Sequence, residues 1–168
     1  MELKYPINFT VDGHHYNNGG NSISIGVLVT DDKRPESTVI ERVYETKELG
    51  FANTFLAESN AVLKATELMP EFCVRELFPK YGNGGKRVVI RSDCRSVVES
   101  IKKSKCYTKF LRGVRNNGGN GNEIDEVEKI LKAIQEKTQG YDIKYQKIKG
   151  RGQNPAHILC RIAEGRIN

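Results

Sequence analysis

Ile7-Asn8-Phe9-Thr10-Val11-Asp12-Gly13 is the stretch from which the fold is read. Ile7 to Val11 has the β-branched and aromatic content of a short strand, with Phe9 and Val11 on one face. Asp12-Gly13 closes it. Asn17 to Asn21 (NNGGN) follows, and its glycines and asparagines tolerate the positive φ that a turn demands. Ser22 to Thr30 (SISIGVLVT) then reads as a second strand and Val39 to Tyr44 as a third. Strands this close in sequence are expected to form an antiparallel meander.

Working outward, the pattern changes to alternating helices and strands. Thr54 to Met69 carries Ala57, Ala61, Ala65 and Leu68 at helical spacing, and Pro70 is expected to end it. Arg87 to Arg91 (RVVIR) reads as a fourth strand and Cys94 to Lys103 as a helix with Val97, Val98 and Ile101 inward. Glu123 to Gln139 is the clearest helix: Ile124, Val127, Leu131 and Ile134 make one stripe, and Gly140 follows directly. Tyr141 to Ile148 is a fifth strand. Pro155 to Glu164 is a last helix, with Asn154 as its N-cap and Pro155 at its first position. The predicted architecture is therefore α/β. One domain spanning 1–168 holds a five-stranded mixed sheet: three antiparallel strands, then two parallel ones reached by helical crossovers.

Composition narrows the class. A chain of 168 residues suits one domain with a self-sufficient core. No apolar run approaches the ~18–20 residues of a membrane span, and the first residues lack a signal-peptide core, so a cytoplasmic protein with no membrane partner is expected. The cysteines at 73, 94, 106 and 160 form no CxxC pair, which leaves a clustered zinc site without support. The 27 Lys+Arg against 21 Asp+Glu give a formal charge of +6 and make a polyanion a plausible partner.

Acidic residues stand at the ends of two of the strands. Asp12 closes the first and Asp93 the fourth, in Val89-Ile90-Arg91-Ser92-Asp93. If those strands are parallel neighbours, their C-terminal ends lie side by side, where sites gather in open α/β sheets. Glu58 lies one turn into the first helix on its alanine face, which otherwise reads as core. A carboxylate there is costly unless paired or bound to a cation. Three converging carboxylates repel one another, a divalent ion removes the repulsion, and an all-oxygen set suits Mg²⁺ or Mn²⁺. Taken singly, Asp-Gly is an ordinary turn, Ser-Asp an ordinary N-cap and Glu58 an ordinary solvated helix residue. Their joint order and context carry the reading.

In that order the sequence resembles type 1 ribonuclease H over about residues 5 to 165. The matching features are Asp12-Gly13 after the first strand, the Asn/Gly turn at 17–21, Ala57-Glu58 on the first helix and Ser92-Asp93 after the fourth strand. Asn154-Pro155-Ala156-His157-Ile158-Leu159 opens the last helix. The resemblance implies a ribonuclease H-like fold. It also implies an endonuclease, a hydrolase that cuts the RNA strand of RNA–DNA hybrids with two Mg²⁺ or Mn²⁺ ions. The catalytic and metal-binding residues it implies are Asp12, Glu58, Asp93 and His157. Asp12 would bridge both ions, Glu58 and Asp93 would hold one side and His157 the other. A monomer is expected.

Two departures from the family pattern stand out. His157 occupies a position that usually supplies Asp. A neutral imidazole is softer and adds no negative charge, which should weaken the second-metal position and favour Mn²⁺. Arg151, in Lys149-Gly150-Arg151-Gly152, stands where many relatives carry a loop histidine. Between Lys102 and Arg115 the basic residues Lys102, Lys103, Lys105, Lys109, Arg112 and Arg115 run uninterrupted by acids, with Tyr107 and Phe110 among them. This segment is either a phosphate-binding projection or a solvated basic loop. The substrate contacts expected are Gly13, Asn18, Asn53, Lys105, Lys109, Arg112 and Arg151, with the asparagines reaching minor-groove 2′-hydroxyls. The alternative function is a non-catalytic module of the same fold that binds hybrid or double-stranded RNA.

Overall fold

A computed structural model of the chain describes residues 7–16, 21–31, 38–50, 52–72, 87–102, 121–149 and 154–166. Asn18, Lys105, Lys109, Arg112 and Arg151 lie outside these residues. Strands β1 (Ile7–Tyr16), β2 (Ser22–Asp31) and β3 (Thr38–Glu48) are successively antiparallel. β4 (Arg87–Ser92) runs parallel to β1, and β5 (Asp142–Lys147) runs parallel to β4. The sheet is ordered β3-β2-β1-β4-β5, the mixed sheet expected from the sequence. Helices α1 (Thr54–Phe72), α2 (Arg95–Lys102), α3 (Gly121–Lys137) and α4 (His157–Ala163) accompany it. No helix among the described residues is long and apolar enough to cross a membrane.

β1 is central, and it is buried continuously from Ile7 to Gly13 because the sheet is covered on both faces. Ile7, Phe9 and Val11 share the face that meets α1, where the Phe9 and Phe72 rings meet edge to face at 6.2 Å. Register places Val29, Val27 and Ile25 of β2 beside Phe9, Val11 and Gly13, and Val88 and Ile90 of β4 beside Ile7 and Phe9. These residues form one apolar core with Ala57, Ala61, Ala65 and Met69 of α1. The small alanine side chains let α1 lie close to the sheet.

β1 extends past Val11, where the sequence pattern was expected to stop. Asp12 to Tyr16 continue the antiparallel ladder with Gly26 to Ser22, whereas pairing with β4 ends at Thr10 and Arg91. Asp12 therefore projects beyond the last β4 pairing, at a step in the sheet. α1 likewise runs past Pro70 to Phe72. A proline costs one internal hydrogen bond, and the burial of Met69 and Phe72 holds the final turn in place. α4 begins at His157 rather than Pro155, because Pro155 and Ala156 form a turn closed by the Asn154 side chain.

The opposite face of β1 carries Asn8, Thr10 and Asp12, all buried. Asn8 is fully buried, and among the described residues neither its amide nitrogen nor its amide oxygen has a hydrogen-bond partner. An unsatisfied buried amide costs roughly 1–3 kcal/mol, so Asn8→Val, which also suits a strand, is expected to stabilise the protein. A gain of about 1 kcal/mol would raise the melting temperature by about 2–4 °C in a chain of this size. Calorimetry on both proteins checks it; an unchanged or lower melting temperature for Asn8→Val would show that the amide is satisfied in solution.

Candidate metal centre

The step in the sheet brings the acidic residues together. Asp12 projects at the end of the β1–β4 pairing, and Asp93 directly follows the last residue of β4. Glu58 arrives from the second turn of α1. Its approach depends on Gly13: a Cβ there would lie 2.1 Å from the Ala57 carbonyl oxygen, so only glycine lets the helix backbone settle against β1. The Gly13 N–H then donates to Glu58 Oε2 at 3.1 Å and fixes that carboxylate. One ligand oxygen from each of Asp12, Glu58 and Asp93 lies within 4.8 Å of the others. Asp12 is 0% and Glu58 6% exposed, whereas Asp93 is half-buried and opens the cluster to solvent.

The elements after β5 complete the surround. Asn154, buried, donates from Nδ2 to the Val11 carbonyl at 2.9 Å and more weakly to Asp93 Oδ2 at 3.4 Å, while its Oδ1 accepts the Ala156 N–H at 3.0 Å. One amide thus ties β1, Asp93 and the start of α4 together. His157 Nδ1 lies 2.8 Å from Asp12 Oδ2. The Cys160 thiol donates to the Asp12 carbonyl at 3.2 Å. Gly26, the cross-strand partner of Asp12, is as tightly constrained as Gly13 but on the other face. A Cβ there would lie 2.6 Å from the Ala156 carbonyl and 2.8 Å from Leu159 Cβ.

The neighbouring thiols register the local negative charge. Burial first, then the charge of Asp12, pushes the Cys160 thiol up. Cys94 is pushed up to about 11, mainly by burial, with Glu58 and Asp93 adding to the rise and backbone hydrogen bonds opposing it. Both remain protonated near neutral pH and do not compete as thiolate ligands. The donor set nearest the cluster is then oxygen, with one imidazole beside it. That chemistry fits a hard divalent cation, which the carboxylates would hold.

Among the sequence-predicted site residues, Asp12, Glu58, Asp93 and His157 come together. Gly13 lies beside them, but its backbone is turned to Glu58. Asn53 sits just before α1, where its Oδ1 accepts the Leu56 N–H at 2.8 Å as a helix cap. The sequence reading did not anticipate the Asn154 bridge. It also missed His14, whose Nδ1 meets Glu164 Oε1. The His14 and His157 rings stand edge to face, 6.5 Å apart.

No protein-family model matches the sequence, and no curated protein matches it. Solved structures do. Ribonuclease H1 from the halophilic archaeon Halobacterium salinarum NRC-1 matches with a TM-score of 0.65 at 15% identity, covering 96% of this chain and 98% of that one. LC11-RNase H1, isolated from compost by a metagenomic approach, matches at 0.62 and 16% identity over 95% of this chain and 96% of that one. A foamy viral protease–reverse transcriptase in complex with RNA/DNA hybrid matches at 0.56 and 18% identity, over 98% of this chain and 21% of that one. The chain has the ribonuclease H fold.

The contact at Gly13 makes a direct prediction. Gly13→Ala must push α1 away from β1, at a cost of roughly 3 kcal/mol, the upper end for overpacking. It should also displace Glu58 and weaken divalent-cation binding. Urea unfolding and Mn²⁺ titration calorimetry report the two effects. A variant with wild-type stability and affinity would mean that the helix is not seated on Gly13.

Proposed function

We propose that this chain is a ribonuclease H, a metal-dependent endonuclease that hydrolyses the RNA strand of RNA–DNA hybrids. The observation that carries the reading is the convergence of Asp12, Glu58 and Asp93 where the pairing of β1 with β4 ends, in a ribonuclease H fold. The foamy viral match, a protein bound to RNA/DNA hybrid, supports the choice of substrate.

Asp12, Glu58, Asp93 and His157 would hold two Mg²⁺ or Mn²⁺ ions, which when bound supply an activated water and charge stabilisation for an in-line phosphodiester displacement. The protein fixes the carboxylates before any ion arrives. The Gly13 N–H holds Glu58, and Asn154 reaches Asp93 from the β1 side. His157 lies against Asp12 Oδ2 and limits the swing of that carboxylate. Half-buried Asp93 and His157 leave the cluster open on the side from which a phosphate would approach. The basic residues Lys105, Lys109, Arg112 and Arg151 are proposed to grip backbone phosphates, and Asn18 a ribose. Specificity would rest on duplex shape and 2′-hydroxyls rather than base sequence.

Cleavage assays on matched RNA–DNA, RNA–RNA and DNA–DNA duplexes with Mg²⁺ or Mn²⁺ test the reading. Asp12→Asn keeps the side-chain shape and removes one of the clustered charges. It is expected to abolish cleavage while leaving the circular-dichroism spectrum and melting temperature at or above the wild-type values. Cleavage at a near-wild-type rate would remove Asp12 from the mechanism. Hybrid binding by a wild type that never cuts would favour the non-catalytic module instead.

His157 generates a separate expectation. His157→Asp sets another carboxylate against buried Asp12, so the metal-free variant should be less stable and gain more from added cation. Carboxylate oxygen suits the harder ion, so preference should move from Mn²⁺ towards Mg²⁺. Melting temperatures measured with each ion and in chelator check both effects. An unaltered Mn²⁺/Mg²⁺ ratio would take His157 out of the ligand set.

A further inference from the structure

α4 is a helix of only seven residues, and two successive rows of the sheet hold it. Asp12 of β1 pairs with Gly26 of β2 in one row, and His14 pairs with Ser24 in the next. The start of the helix lies over the first row. There His157 Nδ1 meets Asp12 Oδ2 at 2.8 Å, and the Ala156 carbonyl takes the space that a Gly26 side chain would need. The end of the helix lies over the second row. Glu164 Oε1 meets His14 Nδ1 and accepts a hydrogen bond from Ser24 Oγ at 3.0 Å, and Arg166 reaches Oε2 at 3.4 Å. The Glu164 side chain is 1% exposed, so this is a buried tether rather than a surface ion pair.

Local structure aims that carboxylate. Glu164 is the C-cap of α4. The Gly165 N–H donates to the Ile162 carbonyl at 3.0 Å and the Arg166 N–H to the Arg161 carbonyl at 2.9 Å, the two bonds of a Schellman motif. Gly165 supplies its left-handed residue, with a φ of 74°. The chain turns off at Gly165, and Glu164 keeps its side chain on the sheet.

The tether reaches His157 by two routes. Seven helical steps separate His157 from Glu164, about 10 Å of one short rod. Fixing one end limits how far the other can pivot. The His14 ring that Glu164 holds also stands edge to face with the His157 ring at 6.5 Å, a usual spacing for aromatic pairs. It backs the imidazole that meets Asp12. Both routes depend on where the atoms pack, and neither on the charge of a ring.

We propose that Glu164 is a positioning residue of the metal centre: by fixing the end of α4 to His14 and Ser24, it sets the place of His157 against Asp12. The inference rests on the reading of His157 as a ligand to the bound ions and adds how the fold keeps it in place.

The test is a double-mutant cycle on the whole chain, read as Mn²⁺ affinity by titration calorimetry at one fixed pH without substrate. Glu164→Ala should weaken Mn²⁺ binding about tenfold, the low end of what changes outside the ligand shell cost a metal site. Glu164→Gln keeps the length and an acceptor oxygen, and should recover most of that loss. In a His157→Ala background, where the ligand is already gone, Glu164→Ala should cause no further loss. A merely structural residue would weaken binding by the same factor with or without His157. Urea unfolding in chelator shows which variants fold. Should Glu164→Ala fail to fold, Ser24→Ala takes its place in the cycle, with a loss of roughly threefold expected from one missing hydrogen bond.

Additive losses overturn the proposal, and so does an Mn²⁺ affinity that the folded variant leaves unchanged. Wild-type affinity in His157→Ala overturns it too, by taking His157 out of the ligand set, while cleavage of the hybrid by the wild type would leave the broader function standing. A wild type that neither binds Mn²⁺ nor cuts the hybrid would overturn that function and this inference with it.

Discussion

The centre depends on a single close approach. α1 lies against β1 with the Ala57 carbonyl where a Gly13 side chain would be, and this proximity puts Glu58 beside Asp12. A bulkier residue at 13 would hold the helix off. The apolar core does the rest: Ala57, Ala61 and Ala65 are fully buried and add no bulk that would lift the helix from the sheet. Core packing and site geometry are thus one constraint. The helix is stabilised in a position from which its carboxylate joins the cluster, and the backbone N–H of Gly13 is the group that orients that carboxylate.

Such clustering opposes stability. Two carboxylates are almost entirely buried and a third lies within ligand distance of both. Burial of like charges raises the free energy of the folded chain unless hydrogen bonds or cations offset it. The fold supplies part of the offset through fixed donors such as the Gly13 N–H and the Asn154 amide. It leaves the remainder for a cation. Burial is the main reason that the Cys94 and Cys160 thiols are raised, and the charge of the neighbouring carboxylates adds to the rise. A divalent ion held by the three carboxylates would lower this repulsion.

Much of this was legible in the sequence, and the reason is local. Phe9 and Val11, the SISIGVLVT strand and the alanine ladder of α1 carry their periodicity on a few consecutive residues. Asp93 was legible because it directly follows a strand end; Asp12 was found through an Asp-Gly read as a strand end, although β1 runs on to Tyr16. What escaped was non-local. Asn154 read as an ordinary N-cap, yet its amide bridges to Val11 across 143 residues, and helical geometry starts only at His157. Asn53 was read only as a substrate contact, and its Oδ1 also caps α1, a local role that the sequence reading did not include. His14 and Glu164 lie 150 residues apart, and neither carries a motif that names the other. The basic run from Lys102 to Arg115 was visible as composition, but composition alone does not give its placement.

The last step concerns the pair of glycines around Asp12. Gly13 admits α1 on one face of the sheet. Gly26, directly across from Asp12 on β2, admits the start of α4 on the other. The sheet is thinned on both sides at the same point, so two helices reach the part of β1 around Asp12 that a normal pair of side chains would keep them from. One brings Glu58; the other brings His157 to Asp12, and the turn before it brings Asn154 to Asp93. Neither glycine has a positive φ, so conformational freedom does not explain them; steric room does. Asp12 and His157, 145 positions apart, can therefore meet because two hydrogen atoms stand where side chains would otherwise be. The chemistry is carried by Asp12 and its neighbours, but access to it is set by what Gly13 and Gly26 lack.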